Sequence, residues 1–70
     1  MQKIVSVSSL TSGLIQENNG VVVKRERGSV VNFLMVRKAF GGYEVVTPRS
    51  FQRLAKYSDI KSVQSFIRAV

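Results

Sequence analysis

The chain has 70 residues and carries 11 lysine and arginine residues against 4 aspartate and glutamate residues, a formal net charge of +7. It contains no cysteine and no histidine, which excludes disulfide bridges and the usual zinc and iron sites. A chain this short forms one domain with a thin hydrophobic core, close to the limit of independent stability. We therefore expect a single domain over residues 1–70 that holds no cofactor and gains stability from packing or from a second subunit.

The positive charge is unevenly distributed along the sequence. Residues 1–23 contain only Lys3 and Glu17 as charged residues, so the whole excess lies from Lys24 onward. Such an excess on a small domain favours a polyanion as partner, although an ordinary solubilising surface gives the same composition. No segment approaches the ~20 apolar residues that span a bilayer, and the first residues are too polar for a secretory signal. We expect a cytoplasmic protein without membrane contacts.

The first part of the chain predicts short strands separated by turns. Residues 3–9 are mainly β-branched and small, which is typical of an edge strand. Residues 14–18 are interpreted as a second strand, because Asn19 and Gly20 follow it and this dipeptide favours a tight hairpin turn. The hairpin would pair this strand with a third strand over residues 21–27.

Two further glycine-marked turns predict the rest of the sheet. Gly28 and Ser29 lead into a strand over residues 30–40, and Gly41 and Gly42 lead into a strand over residues 43–47. Successive hairpins form an antiparallel meander. The apolar run of residues 30–40 also fits a buried helix, since periodicity alone does not separate the two, but its β-branched residues and flanking glycines favour a strand.

The last part of the chain predicts helices. Thr47 and Pro48 indicate a helix over residues 48–57, because a threonine hydroxyl caps free N–H groups and proline fits the first helical position. Ser58 and Asp59 indicate the cap of a second helix over residues 60–69, with one bent helix as the alternative. The apolar stripe of this second helix consists of Ile60, Val63, Ile67 and Val70. The predicted fold is α+β, a meander of four to five antiparallel strands over about residues 3–47 with one or two C-terminal helices packed on one sheet face. This order of elements resembles single-stranded-DNA-binding transcriptional coactivators in fold alone.

Two-residue turns assign the side chains to two sheet faces, because directly opposed residues share a face. They place Arg27 opposite Val30, Arg25 opposite Asn32 and Phe40 opposite Tyr43. One face then carries Arg25, Arg27, Asn32, Lys38, Phe40, Tyr43 and Thr47 around Val21, Val23, Leu34, Val36 and Val45. The other carries Val22, Val31, Phe33, Met35, Ala39 and Val46 with Lys24, Arg37, Glu26 and Glu44. Its charges balance, so we interpret this second face as the one the helices cover.

The first face predicts binding of nucleic acid, because phosphates need cations and exposed rings stack on bases of any sequence. The candidate binding residues are Lys24, Arg25, Arg27, Arg37, Lys38, Phe40, Tyr43, Arg49 and Arg53. A homodimer that packs the valines of this face together is an equal interpretation. Phe40 and Tyr43 also fit a simple cross-strand pair that stabilises a hairpin.

Arg49, Arg53 and Lys56 share one side of the first predicted helix, which is usually the solvated side. A helix-turn-helix is disfavoured, since Ser65 and Arg68 stand where that motif buries apolar side chains.

Signatures of enzymes are scarce, because the chain has no histidine or cysteine and its carboxylates are scattered. We expect a homodimer that binds nucleic acid without catalysis, with single-stranded or duplex DNA favoured over RNA. Its size suggests a small DNA-binding regulator or accessory factor of the kind carried by phages or mobile elements. The alternative is a protein-interaction module, an inhibitor or assembly factor, that docks on an acidic protein.

Overall fold

The computed structural model of the chain describes residues 3–27 and 30–69, without the side chains of residues 26, 27 and 30–32. In chain order the elements are β1 (Ile4–Ser6), a 3-10 helix (Val7–Ser9), α1 (Ser12–Asn18), β2 (Val21–Arg27), β3 (Val30–Ala39), β4 (Gly42–Val46), β5 (Arg53–Tyr57) and α2 (Ile60–Ala69). The predictions that fall outside the described residues concern the turn at residues 28–29, Val70 and the side chains of Glu26, Arg27, Val31 and Asn32. The strands form one sheet in the order β1-β2-β3-β4-β5, which confirms the α+β fold class.

An antiparallel meander is present, but it runs through β2, β3, β4 and β5, of which only β2, β3 and β4 were predicted as strands. Residues 30–39 form a strand and not a buried helix, and β2 pairs with β3 in the predicted register, with Arg25 opposite Asn32. Strand β1 lies at the edge of the sheet, but it pairs with β2 in parallel. A parallel pair needs a crossover connection between its strands, and α1 lies in that connection.

Residues 14–18 belong to helix α1, so the prediction of a strand there is wrong. The hydroxyl oxygen of Thr11 accepts a hydrogen bond from the N–H of Leu14 at 3.2 Å and caps the helix. Asn19 ends the helix with φ 57°, and Gly20 follows with φ 111°. The dipeptide therefore supplies the expected positive φ angles, but at a helix C-terminus and not in a hairpin.

Strand β5 occupies the second half of the predicted helix over residues 48–57, so that prediction is wrong. Thr47 and Pro48 do begin one helical turn, in which the N–H of Phe51 donates to the carbonyl of Thr47 at 2.9 Å. Phe51 then has φ 56°, and a left-handed residue cannot continue a right-handed helix. The strand also removes both the likeness to the coactivators and the helix-turn-helix alternative, since each needs a helix here.

Helix α2 covers the same residues as the second predicted helix. A carboxylate oxygen of Asp59 accepts a hydrogen bond from the N–H of Ser62 at 2.9 Å. Hydrogen bonds from the hydroxyl and the N–H of Ser62 hold the pKa of the Asp59 carboxyl below its usual value. No helix in the described part of the chain has the length and apolar character needed to cross a membrane.

The turn between β3 and β4 differs from the predicted one. Ala39 pairs with Gly42 and Lys38 pairs with Tyr43, so the two turn residues are Phe40 and Gly41. A Cβ atom at Gly42 would clash with the carbonyl oxygen of Tyr57 in β5. This close approach of two backbones requires glycine as the first residue of β4, and it moves Phe40 out of the sheet. Because the register shifts by two residues, the side chains keep their predicted faces.

Both helices pack on the same face of the sheet, and it is the opposite face to the one predicted. Ile15 of α1 and Val63 and Ile67 of α2 form one core with the sheet residues Val21, Val23, Leu34, Val36, Tyr43 and Val45. Phe33, on the other face, is 44% exposed. The valines form the larger uncharged area, so the helices cover them. Because these valines are buried within the chain, they no longer argue for a homodimer.

Substitutions at two adjacent residues of β3 test which face the helices cover. Leu34→Ala is expected to lower the free energy of unfolding by about 2 to 5 kcal/mol, because Leu34 is buried in the core. Phe33→Ala is expected to cost only about 1 kcal/mol, because roughly half of the residue already faces solvent. Urea unfolding followed by circular dichroism measures both. A larger loss for Phe33→Ala would show that the helices cover the other face.

The approach of β5 to Gly42 predicts that a single methyl group is harmful there. Gly42→Ala is expected to cost about 1 to 3 kcal/mol of unfolding free energy through overpacking. Gly13→Ala in α1 is the matched control, since the nearest atom to its added Cβ is 4.0 Å away, and it is expected to stabilise by about 0.5 to 1 kcal/mol. Thermal unfolding compares the two variants, and equal stabilities would contradict the close approach.

Candidate nucleic-acid interface

The sheet face opposite the helices carries basic and aromatic side chains, and we call it the open face. The register of the strands places on it Ile4, Val22, Lys24, Phe33, Met35, Arg37, Glu44, Val46, Arg53 and Lys56. Four of these residues are basic and one is acidic, and the register places Glu26 on the same face, so the formal charge of the face is 4 − 2 = +2. The open face is therefore positively charged, and part of its apolar surface is exposed.

Arg53 and Lys56 reach the open face only because residues 53–57 form a strand. Lys56 is opposite Glu44, and Arg53 is opposite Val46 across a bulge. Without these two residues the charges of the face appear balanced in the sequence, which is why it was interpreted as the covered face. The only indication of this strand in the sequence is a short alternation of charged and less polar residues, in which Lys56 lies between Ala55 and Tyr57.

Glu44 joins two arginines on the open face. One carboxylate oxygen accepts a hydrogen bond from Nε of Arg37 at 2.5 Å, and the other lies 3.2 Å from Nε of Arg53. The Glu44 side chain is 12% exposed, whereas those of Arg37 and Arg53 are 36% and 63% exposed. Both contacts use Nε, so the Nη hydrogens of the two guanidinium groups take no part in them. The carboxylate thus orients two guanidinium groups whose remaining donors suit a phosphate.

Phe51 adds an aromatic ring to the open face from the loop between β4 and β5. The centroid of its ring lies 5.4 Å from Cζ of Arg37, a cation–π distance. Phe51 is nevertheless 51% exposed. Met35 and Val46 are buried on this face although both helices pack on the opposite one. The loop therefore presents a half-exposed ring beside Arg37.

Three of the predicted binding residues lie on the open face: Lys24, Arg37 and Arg53. Lys24 is exposed and is the cross-strand partner of Phe33. Arg25 is half-buried on the neighbouring position of β2, and Arg49 is exposed in the loop between β4 and β5. The structure thus brings together part of the predicted set and adds Phe33, Phe51 and Lys56, which the sequence analysis did not select.

Tyr43, Lys38 and Phe40 lie away from the open face. Tyr43 is buried in the core, and its hydroxyl is 2.7 Å from Oγ of Ser12. The Nζ of Lys38 lies 5.3 Å from the centroid of the Tyr43 ring. The prediction of an exposed ring at Tyr43 is therefore wrong, and so is its pairing with Phe40. Phe40 is 96% exposed at the tip of its turn, outside the sheet.

Comparisons with protein-family models, with curated proteins and with solved structures found no match to this chain. Among the described residues, no three acidic side chains lie together in a way that could hold a metal ion. The side chains of the open face are consequently the basis for assigning a function to this chain.

Glu44→Gln tests whether the carboxylate holds the two arginines. The change is expected to lower the free energy of unfolding by about 1 to 2 kcal/mol, because it weakens two charge-assisted contacts that solvent partly screens. Glu17→Gln, the same change at an exposed position of α1, is the control and is expected to stay within about 0.5 kcal/mol of the parent protein. Urea unfolding measures both variants. Equal effects would mean that the contacts of Glu44 contribute nothing to stability.

Proposed function

We propose that the protein binds nucleic acid on the open face and acts without catalysis. The observation that carries the proposal is the presence of two exposed aromatic rings, Phe33 and Phe51, among cations on a sheet face that neither α1 nor α2 covers. Cations of such a face neutralise phosphates, and exposed rings stack on bases whatever their sequence.

The exposed rings favour nucleic acid over an acidic protein as the partner. Cations alone would suffice for docking on an acidic surface, because attraction between opposite charges needs no aromatic ring. Phe33 and Phe51 instead expose about half of their surface, and a nucleic acid can use such rings as stacking platforms for its bases. We propose DNA as the first choice of ligand and a cytoplasmic role as a small regulator or accessory factor. Formation of a homodimer stays a prediction.

The contribution of the open face to binding can be read from the salt dependence of affinity. Lys24→Ala combined with Lys56→Ala is expected to flatten the log–log slope of affinity against salt by about 1.4 on single strands or about 1.8 on duplex, because each phosphate contact contributes about 0.7 or 0.9. The affinity should fall equally for all sequences. Fluorescence anisotropy with labelled single-stranded DNA, duplex DNA and RNA of one length provides the measurement.

The matched control removes two cations from the opposite layer. Lys61 and Arg68 are exposed on α2, and changing both to alanine alters the net charge by the same amount. This variant should keep the parent slope, since it differs only in where the charge is removed. If the α2 variant changes the slope and the sheet variant does not, the binding surface is helical. Absence of binding to all three ligands at low salt would reject the proposal and favour an acidic protein partner.

A further inference from the structure

We infer that the open face selects single-stranded nucleic acid and that one unpaired base stacks on Phe51, which the loop between β4 and β5 holds in place before binding. The inference rests on the proposed function, and it adds the class of ligand and the residue that recognises it.

The backbone of Phe51 is in an unfavourable conformation. Its φ of 56° lies in the left-handed region, which among the other described non-glycine residues only Asn19 occupies. Asparagine tolerates this region because its short polar side chain forms local hydrogen bonds, whereas phenylalanine gains no such compensation. Residues with a strained backbone persist where the surrounding structure holds them in that conformation, and they cluster at functional sites.

Thr47 fixes the loop that carries Phe51. Its N–H donates to the carbonyl of Gln52 at 3.0 Å, and its carbonyl accepts from the N–H of Phe51 at 2.9 Å. Its hydroxyl oxygen accepts from the N–H of Gln52 at 3.2 Å and lies 2.6 Å from the hydroxyl of Ser50. The backbone on both sides of the ring is thus held without a ligand, which reduces the entropy lost when a ligand binds.

Packing alone does not account for the placement of the ring. A phenylalanine kept in the left-handed region only to cover the sheet would be expected to bury its ring, yet half of Phe51 remains exposed. Arg37 lies against the ring, so the exposed part can receive a base. A base within a duplex is already stacked and paired, and only an unpaired base can use this surface. Arg37 lies beside the ring, and Glu44 contacts both Arg37 and Arg53, so two guanidinium groups can supply donors for the adjacent phosphate.

The first test places a fluorescent reporter at the proposed stacking position. The sequence contains no tryptophan, so Phe51→Trp creates a single indole whose fluorescence reports on stacking. A single-stranded oligothymidine should quench it strongly, and a duplex of the same length should quench it weakly. Phe40→Trp is the control, because Phe40 is exposed at the tip of the other turn, and its fluorescence should change little. Strong quenching at Phe40 with none at Phe51 would overturn the inference.

The second test separates stacking from simple coverage of the sheet. Phe51→Leu keeps an apolar side chain at this position but has no ring, and Phe51→Gly suits the left-handed backbone and removes the side chain. Both variants should bind the single strand about 5- to 150-fold more weakly, the range measured for the loss of one stacked base. Affinity for duplex and the slope against salt should not change. Circular dichroism verifies that each variant is folded. If Phe51→Gly is unfolded, the affinity of Phe51→Leu for the single strand decides the test.

The outcomes also distinguish this inference from the proposed function. Parent affinity for single strands in Phe51→Leu, together with an unquenched Phe51→Trp, would overturn the role of Phe51. The proposed function would still hold if the Lys24 and Lys56 substitutions flatten the slope against salt. Failure of the parent protein to bind any nucleic acid would overturn both.

Discussion

Coverage of the sheet by helices is the constraint on which the rest of the structure depends. The described part of the chain has a helix of 7 residues and a helix of 10 residues, and both lie on one face of a five-stranded sheet. Burial of a valine side chain contributes about 1.5 to 3 kcal/mol, and Val21, Val23, Val36 and Val45 are fully buried beneath the helices. The opposite face must then be compatible with water. The arginines and lysines of this face make it compatible with water.

The parts of the fold that depend on local sequence could be predicted. The register of β2 with β3 follows from a two-residue turn, and α2 follows from its cap and from the spacing of Val63 and Ile67. The turn between β3 and β4 could not be fixed in this way, because Phe40, Gly41 and Gly42 allow two positions for it. The carbonyl of Tyr57 decides between them. That contact comes from a strand that the sequence did not predict.

The candidate site was harder to predict because it depends on non-local pairing. Asn19 and Gly20 supply the same positive φ angles to a hairpin or to a helix end, so the dipeptide does not distinguish them. Thr47 and Pro48 begin a helical turn as expected, but no sequence rule indicates that Phe51 will stop it in the left-handed region. Residues 53–57, which form β5, are predicted as helix as a result. Because Arg53 and Lys56 were not assigned to the sheet, the wrong sheet face was predicted to be covered by the helices.

Positive charge lies on both sides of the sheet. The strand positions that face the helices include Arg25 and Lys38, whereas the open face carries Lys24, Arg37, Arg53 and Lys56. Charge alone therefore does not distinguish one side of the molecule from the other. In the proposed function, long-range attraction draws a polyanion to the protein from any direction, and the short-range contacts of the open face determine which side retains it. The association rate then depends on the total charge, and the dissociation rate depends on the open face.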